Sequence, residues 1–199
     1  VSSRFVSRNP AQIPKAVHSS TPQRGPVLQA IEAPDTRSLA EVVDGYLQGL
    51  SNEVRQRPVE ASTPRRASVL VLGRYNLDDQ HLPSHWRTAY AATLDVSFLT
   101  IHRAKGAEAD YVILPAMLSR SRGTSFPSTR ADDPLLSVVM PGSDSFPQAE
   151  ERRLFYVALT RARQRVAMFT VRGQHSTFLD ELIDTGAVEL AGGDGRAVR

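Results

Sequence analysis

Residues 100–110 contain several reactive or charged groups and directly follow an apolar run in the sequence. The groups are a hydroxyl, an imidazole, an ammonium, a glycine and a carboxylate, from Thr100, His102, Lys105, Gly106 and Glu108. Such a set suits a phosphate-rich ligand, because Gly106 allows close backbone approach, Lys105 supplies positive charge and Glu108 can accept hydrogen bonds from ribose hydroxyls. The alternative is a solvated turn with an incidental salt bridge, and spacing alone leaves both open.

A second cluster covers residues 150–163 and has the pattern of an amphipathic helix. The residues predicted to share one side are Arg153, Tyr156, Val157 and Thr160. Arg161 is predicted one turn from the C-terminal end, where it could complement the helix dipole by ~0.3–1 kcal/mol. It could instead direct its guanidinium at a transferring phosphoryl group. Pairs of Arg153 with Glu150 or Glu151 are predicted to be weak surface bridges.

Apolar segments elsewhere must position these clusters. Strands are predicted over 27–31, 69–72, 95–101, 111–114 and 165–171, and helices over 39–50, from about 145–147 to 163, and over 176–183. This alternation predicts an α/β fold with a parallel sheet and helices on both faces. Because such sheets bind ligands at the carboxyl ends of their strands, we expect the site in the loops that follow Leu72, Ile101 and Leu114.

One domain is predicted over residues 26–185, between a polar N-terminal segment and a C-terminal tail. Residues 1–25 are polar and punctuated by proline, which predicts a helix tail and a linker. Residues 118–146 predict a long surface loop with one short strand or turn at 135–140. Residues 186–199 show no periodicity and predict a flexible tail.

The amino-acid composition excludes several classes of protein. The chain has 199 residues, 24 Lys and Arg against 21 Asp and Glu, and no cysteine, which excludes disulfides and thiol catalysis. A net charge of +3 does not by itself indicate a nucleic-acid-binding protein. No apolar run reaches the ~20 residues that span a bilayer, so we expect a cytoplasmic protein without membrane contact.

Two further groups of residues carry weaker signals. The histidines without metal-ligand spacing are His18, His81, His85 and His175. Trp86 and Tyr90, one helical turn apart, could stack against nucleobases or simply pack in the core.

Four strings of sequence resemble motifs of the UvrD/Rep-type superfamily 1 DNA helicases. TIHRAKGAEADYVIL (100–114) resembles the fifth conserved motif, and EERRLFYVALTRAR (150–163) resembles the sixth. VLVLGRYN (69–76) is similar to the motif after the fourth, and RFVSRNPAQIPK (4–15) is similar to the helix between those two. The resemblance implies a RecA-like domain, a three-layer fold of the P-loop NTPase type without the P-loop itself.

The family resemblance implies the second motor domain of an ATP-driven 3′-to-5′ helicase that moves along single-stranded DNA. Arg161 would be the catalytic arginine that reaches the γ-phosphate of ATP from this domain. Glu108 would hold the ribose, Gly106 would lie on the phosphate side, and Lys105 would lie between nucleotide and strand.

The other motif positions would serve DNA binding or support. Thr100 and His102 would contact the DNA backbone, and Arg74 matches a basic position assigned to the same role. Arg153 and Tyr156, with the neighbouring Thr160, would brace the sixth motif against the cleft.

Parts of the family's machinery are missing from the sequence. There is no GxxxxGK[ST] loop and no Asp-Glu pair at a strand end. The resemblance therefore implies that the Mg²⁺ ligands lie in an N-terminal RecA-like domain of the same protein, and that this piece alone is inactive. Between Arg74 and Thr100 there are 25 residues, where Rep-type enzymes carry a large inserted domain.

Two alternatives remain. One is a regulatory module that binds nucleic acid and has no motor activity. The other is the helicase half of a helicase–nuclease complex that acts in DNA repair. The amino acids beyond either end of this chain would distinguish them.

Overall fold

The computed structural model describes residues 27–56, 66–120, 124–128 and 148–193. Within these residues, six strands form one parallel sheet in the order β3-β2-β4-β5-β1-β6. The strands are β1 (Leu28–Ala33), β2 (Ala67–Gly73), β3 (Leu94–Thr100), β4 (Ala109–Leu114), β5 (Ala162–Val171) and β6 (Leu190–Gly192). The helices are α1 (Leu39–Arg55), α2 (Ala149–Leu159) and α3 (Thr177–Asp184), with 3-10 helices at Asn76–His81 and Ile101–Ala104. The predicted parallel α/β sheet is confirmed.

Separate hydrophobic cores lie on the two faces of the sheet. Alternate residues of β2 show the division, because Val69 and Val71 face one core while Leu70 and Leu72 face the other. Helix α1 covers the first core, and helices α2 and α3 cover the second. Both faces of the sheet are therefore covered, as the sequence predicted.

Helix α1 follows its apolar stripe. The fully buried apolar residues of the helix are Leu39, Val43, Leu47 and Leu50. Burial of each large aliphatic side chain contributes roughly 1.5–3 kcal/mol, so this stripe fixes the helix on the sheet. The helix continues to Arg55, more than a turn beyond the predicted end.

The end of α2 differs from the prediction. The sequence predicted a helix to about Arg163, but α2 ends at Leu159 and β5 already begins at Ala162. The amide of Arg161 donates to the carbonyl of Ala158, which tightens the last turn, and its carbonyl accepts from the amide of Ala109 in β4. Arg161 therefore occupies the turn between helix and strand.

The predicted flexible tail is wrong for residues 187–193. Val188 is buried, and β6 pairs in parallel with β1 opposite Ala30, Ile31 and Glu32. A strand of three residues is too short to show periodicity, and the sheet edge supplies its hydrogen bonds. The division into domains otherwise remains a prediction.

Several sequence predictions lie outside the described residues. These are the helix tail and linker at 1–25, the short strand or turn at 135–140, and the helix start at Ser145 and Pro147.

Candidate functional site

The connection from β3 to β4 crosses the sheet from one edge to the other. The two strands are parallel and are separated by β2, so residues 101–108 must run from the carboxyl edge to the amino edge. Ile101 and Ala104 anchor this crossover in the core beneath α2. Thr100 consequently lies at the carboxyl edge, whereas Glu108 precedes β4 at the amino edge, roughly 20 Å away for a six-residue strand.

This arrangement corrects the expected positions of Glu108 and Arg161 in the fold. We expected the chemistry at the carboxyl ends of the strands, but Glu108 and Arg161 both lie at the amino edge. They precede neighbouring strands, and Ala109 pairs with Ala162 in the register of β4 and β5. The structure thus divides the predicted residues into an amino-edge group and a carboxyl-edge group.

In the amino-edge group, Arg161 is half-buried and its guanidinium is fixed by local acceptors. Nε donates to the carbonyl of Val157 at 3.1 Å, and Nη2 donates to Thr160 Oγ1 at 3.2 Å. Nη1 makes a longer bond, 3.4 Å, to the carbonyl of Ala107. The side chain therefore complements the helix end, and its Nη1 reaches the backbone of the residue that precedes Glu108.

Glu108 follows Ala107 in the chain, and its side chain is exposed. Its Oε2 lies 3.5 Å from Nε of Arg163, and both side chains are about half exposed, at 54% and 47%. Sequence reasoning did not single out Arg163, although it is the last residue of the string that resembles the sixth motif. Lys105 is exposed, and Gly106 has a φ of +88°, a left-handed conformation that favours glycine.

The carboxyl-edge group contains Thr100, His102 and Arg74. Thr100 pairs with Gly73 in the register of β3 and β2, and Arg74 follows directly. His102 and Arg103 are exposed on the 3-10 helix that begins the crossover. Arg74 is held from both Nε and Nη2 by the carboxylate of Glu151, at distances down to 2.7 Å.

Glu151 was missed by the sequence analysis as an organising residue. We predicted a surface pair with Arg153, but Glu151 is buried and binds Arg74. Its Oε2 also accepts from the amide of Ser128 at 2.9 Å, and Ser128 Oγ accepts from the hydroxyl of Tyr75 at 2.7 Å. A single carboxylate therefore joins β2, α2 and residues 124–128. Glu150, in contrast, forms the predicted surface pair with Arg153 at 3.7 Å.

The turn after β2 is tightly built. A Cβ on Gly73 would lie 2.8 Å from Cβ of Asp78 and from the carbonyl oxygen of Tyr75, so glycine is required by space. Asp78 is buried, and its Oδ2 accepts from the amide of Tyr75 at 2.9 Å. Burial raises the pKa of the Asp78 carboxyl. Burial, together with the charge of Arg120, lowers the pKa of His81 to about 4.

A family model described as the UvrD-like helicase C-terminal domain matches residues 76–173. These residues therefore form a UvrD-like helicase C-terminal domain. It is 33% identical over 189 residues to DNA helicase IV of Escherichia coli (strain K12), with 92% of this chain and 24% of that protein covered. It is also 38% identical over 76 residues to a probable DNA helicase of Mycoplasma pneumoniae, with 38% of this chain and 12% of that protein covered.

Structural similarity to a solved protein supports the same fold. The C-terminal domain of a possible DNA helicase from Lactobacillus plantarum superposes with a TM-score of 0.50 at 15% identity, over 84% of this chain and 86% of that one. This likeness concerns the fold, and it agrees with a RecA-like α/β domain. The chain spans about a quarter of the length of the E. coli relative, at 24%.

Within this UvrD-like domain, the supporting residues of α2 divide between solvent and packing. Arg153 is exposed, and Tyr156 is half-buried. Thr160 caps the end of α2, because its hydroxyl donates to the carbonyl of Val157 at 3.0 Å while accepting from Arg161. Thr160 therefore orients Arg161, whereas the sequence predicted for Thr160 only a general supporting role.

Trp86 and Tyr90 of the UvrD-like domain pack in the core. Both are buried against the face of the sheet that α1 covers. The hydroxyl of Tyr90 donates to Oδ1 of Asp44 at 2.6 Å, and burial raises the pKa of this tyrosine. The packing alternative is confirmed, and neither ring is available for base stacking.

Two of the described histidines pair with carboxylates. Nε2 of His175 lies 2.7 Å from buried Glu32, and Nε2 of His85 lies 3.1 Å from Asp44. In the part of the chain that the structure describes, no three histidine, cysteine or acidic residues gather as a metal site. Over the same residues, no helix has both the length and the apolar character needed to cross a membrane.

Proposed function

We propose that this UvrD-like domain is the second motor domain of an ATP-dependent 3′-to-5′ DNA helicase, with nucleotide at its amino edge and single-stranded DNA at its carboxyl edge. The observation that carries the proposal is the division of the motif residues between these edges. Residues that suit a nucleotide gather at the starts of β4 and β5, and residues that suit a DNA backbone lie at the ends of β2 and β3.

The amino edge fits a nucleotide in its donors and acceptors. Glu108 offers an exposed carboxylate to ribose hydroxyls, and the left-handed backbone at Gly106 leaves space beside it. Lys105, three residues before Glu108 in the chain, supplies an exposed positive charge. Mg²⁺ and the Walker residues belong, in this proposal, to the N-terminal RecA-like domain of the same protein.

Arg161 would act by electrostatic stabilisation of the phosphoryl group. Its guanidinium is oriented in advance by Val157 and Thr160, so little reorganisation is needed when negative charge develops. The long bond from Nη1 to Ala107, at 3.4 Å, is the one most easily exchanged for a phosphate oxygen. An arginine in this role can contribute about 10³-fold or more in rate.

The carboxyl edge would bind the DNA backbone. Thr100 offers a hydroxyl at the end of β3, and His102 is an exposed ring on the following turn. Arg74 adds a half-buried guanidinium that Glu151 keeps in one orientation. Phosphate contacts of this kind position a strand without reading its sequence.

Coupling between the edges would pass through α2 and the crossover. Helix α2 begins beside Arg74 and ends beside Arg161, and it packs along the 3-10 helix at Ile101–Ala104. Closure of the partner domain on Arg161 would therefore move Thr100 with it. DNA repair and a cytoplasmic location are parts of the same proposal.

The deciding experiment is DNA-stimulated ATPase activity after this chain is mixed with the Walker-containing domain. We expect stimulation with native Arg161 and a loss of at least about 10²-fold with Arg161→Ala. Arg55→Ala, an exposed arginine on α1, is the matched control and should retain activity. If two folded halves bind DNA without any ATPase stimulation, the chain is a binding module without motor activity.

A further inference from the structure

Strand β5 contains a β-bulge near its start. In the register of β4 and β5, Ala109 pairs with Ala162, and the next aligned pair is Tyr111 with Arg165. Two residues of β5 therefore stand opposite a single residue of β4. Bulges of this kind bend a strand and redirect nearby side chains, and they are frequent beside functional sites. This bulge lies within four residues of Arg161 along the chain.

Gln164 lies inside the bulge and is held by side chains of β4. Its Oε1 accepts from the hydroxyl of Tyr111 at 3.2 Å, and its Nε2 donates to Oδ1 of Asp110 at 3.5 Å. The other oxygen of Asp110 accepts from both the amide and the hydroxyl of Ser68 in β2, at 2.9 and 2.8 Å. A chain of polar contacts thus runs from β2 through β4 to the bulge in β5.

Both sides of the bulge are fixed to their neighbours. Before the bulge, the carbonyl of Arg161 accepts from the amide of Ala109 at 3.0 Å. After it, Nη1 of Arg165 lies 3.2 Å from Oε2 of Glu53 in α1, and its guanidinium lies 5.8 Å from the centre of the Tyr111 ring. Because side chains alternate along a strand, one extra residue decides which face the residues before it occupy. The position of Arg161 on the sheet therefore depends on how the bulge is held.

We propose that Gln164 is a positioning residue for Arg161, an inference that rests on the role of Arg161 in the proposed function. Val157 and Thr160 set the direction of the guanidinium from the end of α2. Gln164 acts from the other side, on the strand that follows Arg161, and in this proposal it does not touch the nucleotide. A misplacement of about 1 Å can lower the rate of a reaction by about 10²-fold, so holding the bulge favours turnover.

The test is the steady-state ATPase kinetics of the intact helicase in the presence of DNA. Gln164→Met keeps the length of the side chain and removes both hydrogen bonds. We expect kcat to fall about tenfold while KM for ATP stays within about twofold of the native value. Tyr111→Phe removes one of the two bonds and should lower kcat by a smaller factor. Gln48→Met, which changes an exposed glutamine of α1, is the matched control and should keep the native kcat.

A double-mutant cycle separates positioning of Arg161 from a general structural role. In an Arg161→Ala protein, Gln164→Met should cause no further loss of kcat, because the group that it positions is absent. A further loss of about tenfold there, an unchanged kcat in Gln164→Met alone, or a raised KM with native kcat would each overturn the inference. Should Gln164→Met fail to fold, Tyr111→Phe takes its place in the cycle and the same outcomes decide.

The Arg161→Ala protein also separates this inference from the proposed function. If Arg161→Ala lowers kcat and Gln164→Met does not, only the positioning role is wrong. If Arg161→Ala keeps the native kcat, the proposed function is refuted, and the positioning role with it.

Discussion

Arg74 and Glu151 form a two-point ion pair that joins the end of β2 to the first turn of α2, with Nη2 of the arginine 2.7 Å from Oε1 of the glutamate. Both side chains are largely withdrawn from water, at 18% and 11% exposed. Replacing one partner would leave a buried charge unpaired, which costs far more than losing a surface bridge.

We therefore predict that Glu151→Ala lowers the free energy of unfolding by roughly 2–5 kcal/mol. The neighbouring Glu150→Ala removes only the exposed contact with Arg153 and should change stability by at most about 0.5 kcal/mol. Urea denaturation of both variants measures the difference. Similar losses for the two would show that the Arg74 pair adds nothing beyond a surface contact.

Glu108 predicts a preference for ribonucleotides. If its carboxylate accepts hydrogen bonds from the ribose, the intact helicase should use ATP with a lower KM than 2′-deoxy-ATP, by about tenfold. Glu108→Ala should bring the two KM values together while leaving kcat for saturating ATP largely intact. Arg163→Ala is the control, because it removes the surface ion pair and keeps Glu108. If the Glu108→Ala variant still has a lower KM for ATP than for 2′-deoxy-ATP, the ribose binds elsewhere.

His81 predicts a loss of stability in acid. Its folded pKa of about 4 lies below the ordinary value of 6.5, so the unfolded chain binds a proton first as pH falls. Burial of neutral His81 therefore contributes fully to the free energy of unfolding above about pH 6.5. This contribution is lost as the pH falls toward 4, by up to about 1.4 kcal/mol for each pH unit.

Unfolding free energies measured across this range would test the role of His81. His81→Leu should flatten the slope, whereas the exposed His85→Gln should retain it. An unchanged slope in His81→Leu would assign the acid sensitivity to other groups.

Two glycines predict opposite responses to the same substitution. Gly73→Ala would force Cβ into backbone and side-chain atoms at 2.8 Å, and we expect a loss of about 1–3 kcal/mol. A Cβ on Gly49, inside α1, would meet nothing within 4 Å, so Gly49→Ala should stabilise by up to about 1 kcal/mol. Thermal unfolding of both proteins provides the comparison, and a neutral Gly73→Ala would show that the turn can relax.

The sheet and its main helices could be predicted because their signals are local. Buried runs such as 69–72 and the apolar stripe of α1 reflect packing on one face or both, which periodicity records directly. The position of Glu108 could not be predicted, because nothing in residues 101–108 says that this short segment crosses the sheet. That outcome depends on β2 lying between β3 and β4.

Glu151 shows a second limit of prediction from the sequence. Adjacent acidic residues at a helix start look alike in sequence, yet Glu150 is exposed and Glu151 is buried against an arginine far along the chain. Pairing over such a distance leaves no periodic signal. The Trp86 and Tyr90 alternatives were resolved only once their neighbours on the sheet were known.

Strand β6 has a consequence for how the molecule behaves in a crowded solution. An open strand edge presents free amide and carbonyl groups to which other chains can add, and long flat edges favour aggregation. Here the outermost strand beside β1 has three residues, too few to template a stable foreign strand. At the other side of the sheet, β3 carries the exposed polar residues Asp95 and Ser97. The two edges of the described sheet are thus protected in different ways. The β6 edge is protected because that strand is short, and the β3 edge is protected by its polar side chains.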